Sequence, residues 1–192
     1  MKLVSFIWND GPGYGLVVGN GVIDLSRRLG ERFASLQALI ALDGLPAASA
    51  LARTAPDFDL AEMRFTIPIR YPDKILCIGV NYTNRNAEYK DGTEPAKYPS
   101  LFMRTPGSFV GHREAIVRPP ESVQLDYEGE IAIIIGKPGR RIPRERALDH
   151  IAGLTCMNEG TIRDWLRHGK FNVTQGKNFD RSGAIGPWMV TA

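Results

Sequence analysis

Two glutamates, Glu128 and Glu130, stand two positions apart at the start of an apolar run that ends at Gly136. The β-branched residues of this run predict a buried strand over residues 125–136. Side chains alternate between the two faces of a strand, so both carboxylates point to one face, with their Cα atoms about 6.6 Å apart. Two like charges beside apolar residues repel each other and lose hydration unless a cation compensates them. The spacing therefore indicates a metal ion or a basic cluster at this face, and a solvated face is the alternative.

A third glutamate follows the next predicted strand. Residues 151–157 predict a strand, and Glu159 stands in the turn after it. Residues 161–168 predict two helical turns, which carry Arg163 four positions after Glu159. An ion pair on a helix surface would give the same spacing as a role for Arg163 in a site, so both interpretations stay open.

Four more charged residues stand beside predicted turns and strand ends. Arg104 ends a short apolar strand, and Lys177 follows the turn residue Gly176. Arg85 and Glu88 are three positions apart in a predicted helical turn, where they lie on one face. That pair has the spacing of a structural salt bridge and equally that of a catalytic pair.

The remaining pattern predicts two domains. Strands over residues 3–8 and 15–24, separated by glycine and proline, precede a helical pattern over residues 24–51. A proline-punctuated stretch then marks the end of a small N-terminal α/β domain, residues 1–70. Apolar strands and turns resume in a second domain, residues 71–192. A short helix over residues 142–150 is predicted from the proline near its start.

Composition excludes several classes of protein. The 192 residues are 43% hydrophobic with a formal net charge of +3, and basic and acidic residues are mixed along the chain. The basic stretch 139–144 has no nucleic-acid motif beside it, which favours a solvated turn and no nucleic-acid partner. No apolar run approaches the roughly 18 residues of a membrane span, and the N-terminus lacks a signal-peptide pattern.

The two cysteines and the end of the chain each lead to a further prediction. Cys77 and Cys156 lie in apolar segments, which predicts two buried thiols in a cytoplasmic protein and neither a disulfide scaffold nor a zinc site. The chain stops inside an apolar strand, which predicts that the 192 residues are a C-terminally truncated fragment.

Four ordered motifs resemble the fumarylacetoacetate hydrolase family, in particular its 2-hydroxyhepta-2,4-diene-1,7-dioate isomerase-like members. The resemblance covers residues 72–192 well and the N-terminal part loosely. The motifs are GVNY (79–82) with Glu88 downstream, DYEGE (126–130), NEGTIRDW (158–165), and GKNFD (176–180) leading to IGP (185–187).

The resemblance implies a fold, a metal and an assembly. The fold is α+β and mainly β, with a mixed β-roll catalytic domain behind the small N-terminal domain, and the assembly is a homodimer. Mg²⁺ or Mn²⁺ is held by three carboxylates, and the substrates are 2-oxo acids, acylpyruvates or 2-hydroxy-dienoates of aromatic and amino-acid breakdown. The metal ligands matched are Glu128, Glu130 and Glu159, although Glu159 stands where the family generally has an aspartate.

The resemblance also assigns roles to the other residues of the motifs. The catalytic residues matched are Lys177, Glu88 and Arg85, and the substrate-binding residues are Arg104, Arg163, Tyr82 and Asn178. Arg85 stands where the family has the histidine of a His/Glu dyad. Arginine stays protonated and cannot act as the base that activates water. This departure favours isomerisation or decarboxylation over hydrolysis.

The sequence thus predicts a metal-dependent isomerase or C–C bond hydrolase acting on small 2-oxo acids. An oxo-acid decarboxylase of the same family is the alternative within the enzyme class, because it also requires enolate stabilisation. A non-catalytic homologue that binds a metal and an oxo acid is the alternative from outside that class.

Overall fold

Strands make up most of the regular secondary structure in the described part of the chain. The computed structural model describes residues 1–82, 97–169 and 172–192. Its strands are β1 (Lys2–Trp8), β2 (Gly11–Val18), β3 (Gly21–Asp24), β4 (Phe58–Asp59), β5 (Arg64–Phe65), β6 (Ile75–Gly79), β7 (Ser100–Arg104), β8 (Phe109–Val110), β9 (Leu125–Asp126), β10 (Gly129–Ile135), β11 (Ile151–Asn158), β12 (Thr161–Ile162) and β13 (Gly183–Thr191).

The helices are short and connect the strands. Within the described residues the α-helices are α1 (Leu25–Leu29), α2 (Leu36–Ala41), α3 (Leu45–Ala50) and α4 (Thr174–Lys177), and three 3-10 helices cover Pro106–Ser108, Arg144–His150 and Trp165–Arg167. This mainly β architecture confirms the predicted fold class. None of the helices in the described part of the chain combines the length and apolarity that crossing a membrane requires.

Nine of the described strands form one sheet. Its order is β10-β11-β13-β1-β2-β3-β4, with β5 paired to β1 and β8 paired to β13; β9 pairs with β12, and β6 with β7. Strand β1 is antiparallel to β13, with Lys2 opposite Val190. The N-terminal strands and the strands that flank the glutamates therefore share one sheet. The division into residues 1–70 and 71–192 stays a prediction.

The N-terminal helices close over the core of this sheet. Asp24 begins α1 by accepting a hydrogen bond from Arg27 N, and Ser35 begins α2 in the same way from Ala38 N, both at 3.0 Å. These caps satisfy backbone N–H groups that have no partner inside the helix. The main core cluster is made of Leu3, Tyr14, Leu16, Ile23, Leu25, Phe33, Leu36, Leu39, Ile40, Ala48, Ala152 and Met189.

The apolar run after the glutamates is not the buried strand that its composition predicts. It breaks after β9, and β10 forms the edge of the large sheet. Ile131, Ile133 and Ile135 are 67%, 55% and 64% exposed, whereas the opposite face of β10 is half-buried. Alternate residues of an edge strand face opposite sides, so a continuous β-branched run does not require burial on both faces.

Three other local predictions have mixed outcomes. The strand over residues 151–157 is confirmed as β11. The helix over residues 142–150 is a 3-10 helix over Arg144–His150. The prediction of a helix over residues 161–168 is wrong, because Thr161 pairs with Asp126 in the β9–β12 ladder and only Trp165–Arg167 is helical. Pairing with a distant strand outweighed the local helical pattern.

One ion pair ties α1 to the segment before β4. Arg28 Nη2 lies 2.8 Å from both carboxylate oxygens of Asp57, and Asp24 N donates to Asp57 Oδ2 at 2.8 Å. Partial burial raises the pKa of Asp57, but the hydrogen bonds from Arg28 and Asp24 outweigh it and hold that pKa below its ordinary value of 3.8. A lowered pKa means that the ionised carboxylate stabilises the folded state at neutral pH, and that protonation in acid removes this contribution.

We expect Asp57→Asn to lower the free energy of unfolding by about 1 kcal/mol at pH 7. The effect is modest because the Arg28–Asp57 ion pair is partly exposed to water, which weakens the attraction between the charges. The difference from the parent protein should shrink as the pH falls below 3.8. Urea unfolding at pH 7 and at pH 3 measures both values. Asp73→Asn, at an exposed position, is the matched control, and an Asp57→Asn effect that is equal at both pH values would contradict the pairing.

Candidate metal centre

The sheet register brings the three glutamates together. Strands β10 and β11 are antiparallel with Gly129 opposite Asn158, so the residue before β10 lies beside the residue after β11. Glu159 N donates to Glu128 O at 2.7 Å, and Glu128 N donates to Asn158 Oδ1 at 3.1 Å. Two carboxylates that are 31 positions apart in sequence are thereby fixed next to each other.

The resulting donor set suits a hard divalent cation. One carboxylate oxygen from each of Glu128, Glu130 and Glu159 lies within 4.8 Å of the other two. Glu159 is only 5% exposed, and its Oε1, which accepts no hydrogen bond of good geometry from the described residues, lies 3.2 Å from the ammonium nitrogen of Lys177. A buried carboxylate is costly unless cations lie beside it. Carboxylate oxygens are the ligands that Mg²⁺ and Mn²⁺ prefer, so the residues present fit such an ion.

Lys177 forms ion pairs with two of the three carboxylates. It stands at the end of α4 and is buried, with its Nζ 2.7 Å from Glu128 Oε2 and 3.2 Å from Glu159 Oε1. Its ammonium also lies 5.2 Å from the centre of the Phe102 ring, on β7. The predicted active-site lysine therefore lies within the carboxylate cluster.

Arg163 approaches Glu128 from another side. The β9–β12 ladder places Thr161 opposite Asp126, and Arg163 follows in the turn after β12. Its Nη2 lies 2.7 Å from Glu128 Oε1, and its Nε donates to Asp126 Oδ2 at 2.9 Å. The guanidinium bridges two carboxylates at the border of the cluster.

The other residues predicted for the site have different surroundings. Tyr82 donates its hydroxyl to Glu130 Oε2 at 3.0 Å. Asn178 uses its amide on the backbone, since its Oδ1 accepts from Thr105 N at 2.7 Å and its Nδ2 donates to Met103 O at 3.1 Å. Arg85 and Glu88 lie outside the described residues.

Arg104 lies under the cluster and has no exposed side-chain surface. Its Nη1 is 3.9 Å from Glu159 Oε1, and its guanidinium lies 4.1 Å from the centre of the Phe109 ring. Burial raises the pKa of Glu159 above its ordinary 4.5, and the positive charge of Lys177 opposes that rise. The carboxylate is thus held in a place where a bound cation would strengthen its ionised form.

Three residues of this site are missed by the sequence reasoning. Cys77, predicted as a buried thiol without a role, faces Glu159, and its burial and that negative charge raise its pKa to about 12. Thr161 Oγ1 lies 3.1 Å from Glu128 Oε1, and Asp126 orients Arg163. Asp126 and Thr161 belong to the same motifs as the glutamates, which was the available signal, whereas Cys77 reaches the site only through the β6–β7 ladder.

The chain is similar to proteins of known family. Residues 74–192 match the model of the fumarylacetoacetate (FAA) hydrolase C-terminal family. All of the chain aligns with oxaloacetate tautomerase FAHD2B, mitochondrial, of Homo sapiens, at 34% identity over 204 residues. The chain spans 63% of the length of that relative.

Solved structures share the fold over the whole chain. Fumarylacetoacetate hydrolase (EaFAH) from psychrophilic Exiguobacterium antarcticum is 30% identical with a TM-score of 0.77, and 66% of its chain is covered. Maleylpyruvate hydrolase from Sphingobium sp. SYK-6, in complex with manganese (II) ion and pyruvate, is 26% identical with a TM-score of 0.77, and 67% of its chain is covered. In both alignments all of the present chain is covered.

We expect Lys177→Met to destabilise the metal-free protein by about 3 kcal/mol, because the substitution removes the ammonium that contacts both Glu128 and Glu159 and leaves the buried Glu159 with only Arg104, 3.9 Å away, as a described ion-pair partner. Addition of Mn²⁺ should restore part of the lost stability, since the cation replaces the missing charge. Urea unfolding with and without Mn²⁺ measures both effects. Lys137→Met, at an exposed position, is the control. Unfolding curves that coincide for Lys177→Met and the parent protein would contradict the charge compensation.

The two thiols should differ in reactivity. Cys77 is buried, whereas Cys156 is exposed on the outer face of β11, opposite Ile131, which makes the prediction of a buried Cys156 wrong. Only the thiolate reacts with disulfide reagents, and a pKa of about 12 keeps Cys77 protonated. We expect 5,5′-dithiobis(2-nitrobenzoate) to modify one thiol per native chain and two in denaturant. Cys156→Ser should abolish the native reaction; a fast reaction that persists in this variant would show that Cys77 is accessible.

Proposed function

Because this chain belongs to the fumarylacetoacetate hydrolase family, we propose that it is a divalent-metal-dependent enzyme that interconverts the keto and enol forms of a small 2-oxo acid. The observation that carries this proposal is the cluster of three carboxylate oxygens within 4.8 Å of one another, with Lys177 ion-paired to two of them. The human relative is an oxaloacetate tautomerase, and the solved maleylpyruvate hydrolase is in complex with manganese (II) ion and pyruvate. Both names support a 2-oxo acid as the substrate class.

In this proposal Glu128, Glu130 and Glu159 hold Mg²⁺ or Mn²⁺. A bound divalent cation would supply Lewis-acid polarisation of the substrate carbonyl and stabilise negative charge on its oxygen. The chain's own task is to keep the three carboxylates converged. The short backbone hydrogen bond between Glu159 and Glu128, and the Thr161 hydroxyl beside Glu128 Oε1, favour that convergence.

Lys177 acts as a fixed donor to the developing oxyanion. An ammonium group has three N–H donors. One is hydrogen-bonded to Glu128 Oε2 at 2.7 Å, and the ammonium also forms an ion pair with Glu159 Oε1 at 3.2 Å. In this proposal a donor that none of the described residues uses is directed at a substrate oxygen beside the cluster. Because the lysine is buried, this donor works in surroundings of low dielectric constant, where a hydrogen bond to an oxyanion is worth more than in water.

Arg163 is proposed to face the carboxylate of the substrate. Its guanidinium is part-exposed at the border of the cluster and already adjoins Glu128 and Asp126. A planar guanidinium suits carboxylate recognition, so a 2-oxo acid could place its carboxylate there and its carbonyl toward Lys177. Tyr82, hydrogen-bonded to Glu130, lies beside the third carboxylate of the cluster.

Tautomerisation is preferred to hydrolysis because of the residue types. Arg85 replaces the histidine that resemblance to the family leads one to expect, and arginine cannot accept the proton of an attacking water. Keto–enol interconversion needs enolate stabilisation and proton transfer but no activated water. Glu88 is proposed as the group that exchanges the carbon-bound proton. A homodimer and a cytoplasmic location stay predictions; the human relative is named as mitochondrial.

The test is the enol absorbance of oxaloacetate in the presence of Mg²⁺ or Mn²⁺. We expect the protein to accelerate ketonisation, and Glu130→Gln to reduce kcat/KM at least about 100-fold, because one charged metal ligand is lost. EDTA should abolish the acceleration. Glu121→Gln, at an exposed position, is the matched control and should retain full activity.

Separate readouts distinguish the alternatives. Loss of an acylpyruvate with release of pyruvate would show hydrolysis, and enzyme-dependent CO₂ release would show decarboxylation. Metal-dependent oxalate binding without turnover of any of these compounds would show a binding protein. Full tautomerase activity in EDTA or in Glu130→Gln would overturn the proposed metal site.

A further inference from the structure

We infer that Arg104 is a positioning residue that presents Glu159 to the metal, rather than a ligand of the substrate carboxylate. This inference rests on the proposed metal site and changes the substrate-binding role that family resemblance implied for Arg104. Three observations carry it: how the N–H donors of the guanidinium are used, how completely it is buried, and what it holds in place.

The Arg104 guanidinium donates most of its N–H groups to nearby protein oxygens. A guanidinium has five N–H groups. Nε donates to Ser108 Oγ at 3.2 Å, Nη2 donates to Ser108 O at 3.4 Å and to Ser182 Oγ at 3.1 Å, and Nη1 donates to Gly160 O at 3.1 Å. The described residues leave one donor without a hydrogen bond, on Nη1, the atom that lies 3.9 Å from Glu159 Oε1. These contacts alone leave no pair of parallel donors for a substrate carboxylate.

The second observation is burial. The Arg104 side chain is 0% exposed, and its guanidinium lies against the ring of Phe109. Arg163, by contrast, keeps 23% of its side chain exposed. Glu159 Oε1 lies 3.9 Å from Nη1 of Arg104 and 3.2 Å from Nζ of Lys177, so the side of the Arg104 guanidinium that faces the cluster is already occupied by Glu159.

The third observation concerns the turn after Glu159. A Cβ atom at Gly160 would lie 1.8 Å from Ser182 O, so this turn is pressed against the backbone before β13, and only glycine fits. Arg104 binds both sides of this close approach, the carbonyl of Gly160 and the hydroxyl of Ser182. Glu159 N is held by Glu128 O on the preceding side. The backbone on either side of Glu159 is thus fixed before a ligand arrives.

Arginine suits this role better than lysine. The planar guanidinium reaches Ser108, Gly160 and Ser182 at once, whereas an ammonium is a compact point charge on a flexible stem. A lysine could supply the positive charge near Glu159 but could not hold the three anchors together. In this inference Arg104 acts by holding the turn that follows Glu159, through its contacts with Gly160 and Ser182, and not by its positive charge alone.

The experiment measures Mn²⁺ binding and oxalate binding separately on the full chain. Mn²⁺ affinity is followed by the loss of the free-ion electron paramagnetic resonance signal, and oxalate affinity by calorimetry at saturating Mn²⁺. We expect Arg104→Gln to weaken Mn²⁺ binding by about 10-fold to 100-fold, as for other groups that orient metal ligands. Oxalate affinity of the Mn²⁺-saturated variant should change by less than about threefold, and Arg104→Lys should recover only part of the Mn²⁺ affinity.

Matched variants keep the inference falsifiable. Ser182→Ala removes one anchor of Arg104 without touching the guanidinium, and it should weaken Mn²⁺ binding in the same direction if Arg104→Gln does not fold. Arg64→Gln, which breaks an exposed ion pair with Glu114, should leave Mn²⁺ affinity unchanged. A lower melting temperature with unchanged Mn²⁺ affinity in Arg104→Gln and Ser182→Ala would reduce Arg104 to a structural residue.

Two further outcomes separate this inference from the proposed function. Unchanged Mn²⁺ affinity together with a large loss of oxalate affinity in Arg104→Gln would make Arg104 a substrate ligand and overturn the inference. Absence of Mn²⁺ binding in the parent protein would instead overturn the metal site on which the inference rests.

Discussion

The local structure of this protein depends on the cost of keeping three carboxylates together away from bulk water. Glu128, Glu130 and Glu159 approach within 4.8 Å, a distance at which like charges repel strongly in a medium of reduced dielectric constant. Lys177 between Glu128 and Glu159, with Arg163 and Arg104 beside them, supplies the opposing charge. The cations stabilise the cluster only because each is fixed by other contacts.

Those cations come from separate parts of the fold. Arg104 ends β7, Arg163 follows β12, and Lys177 ends α4. The roles proposed for them differ with their burial and their contacts. In that proposal Lys177 serves a reacting oxygen, Arg163 at the border serves a substrate carboxylate, and Arg104, which is bound to backbone and hydroxyl groups, orients Glu159.

The large sheet gives this arrangement its rigidity. The glutamates lie at one end of the β10–β11 pair, and β11 continues through β13 to the N-terminal strands. The site is thereby built on a hydrogen-bonded ladder rather than on a loop, which favours precise placement of metal ligands. Strand β10 is also an edge strand with three exposed isoleucines. The same strand therefore combines a polar site at its start with an apolar outer face.

The sequence by itself determined the acidic motifs, because these depend on residue types at short spacing, and the resemblance of its four ordered motifs to a known family indicated the family and its mainly β class. It also indicated Lys177 and Arg163 through the motifs that contain them. Only the tertiary structure decided which strand lies at a sheet edge, that residues 161–162 pair with β9 instead of starting a helix, and that Cys77 faces Glu159. It likewise decided that the donors of Arg104 are almost all used by Ser108, Gly160 and Ser182. Pairing partners, exposure and donor use are set by contacts between residues far apart in the chain, and local patterns of residue type do not encode those contacts.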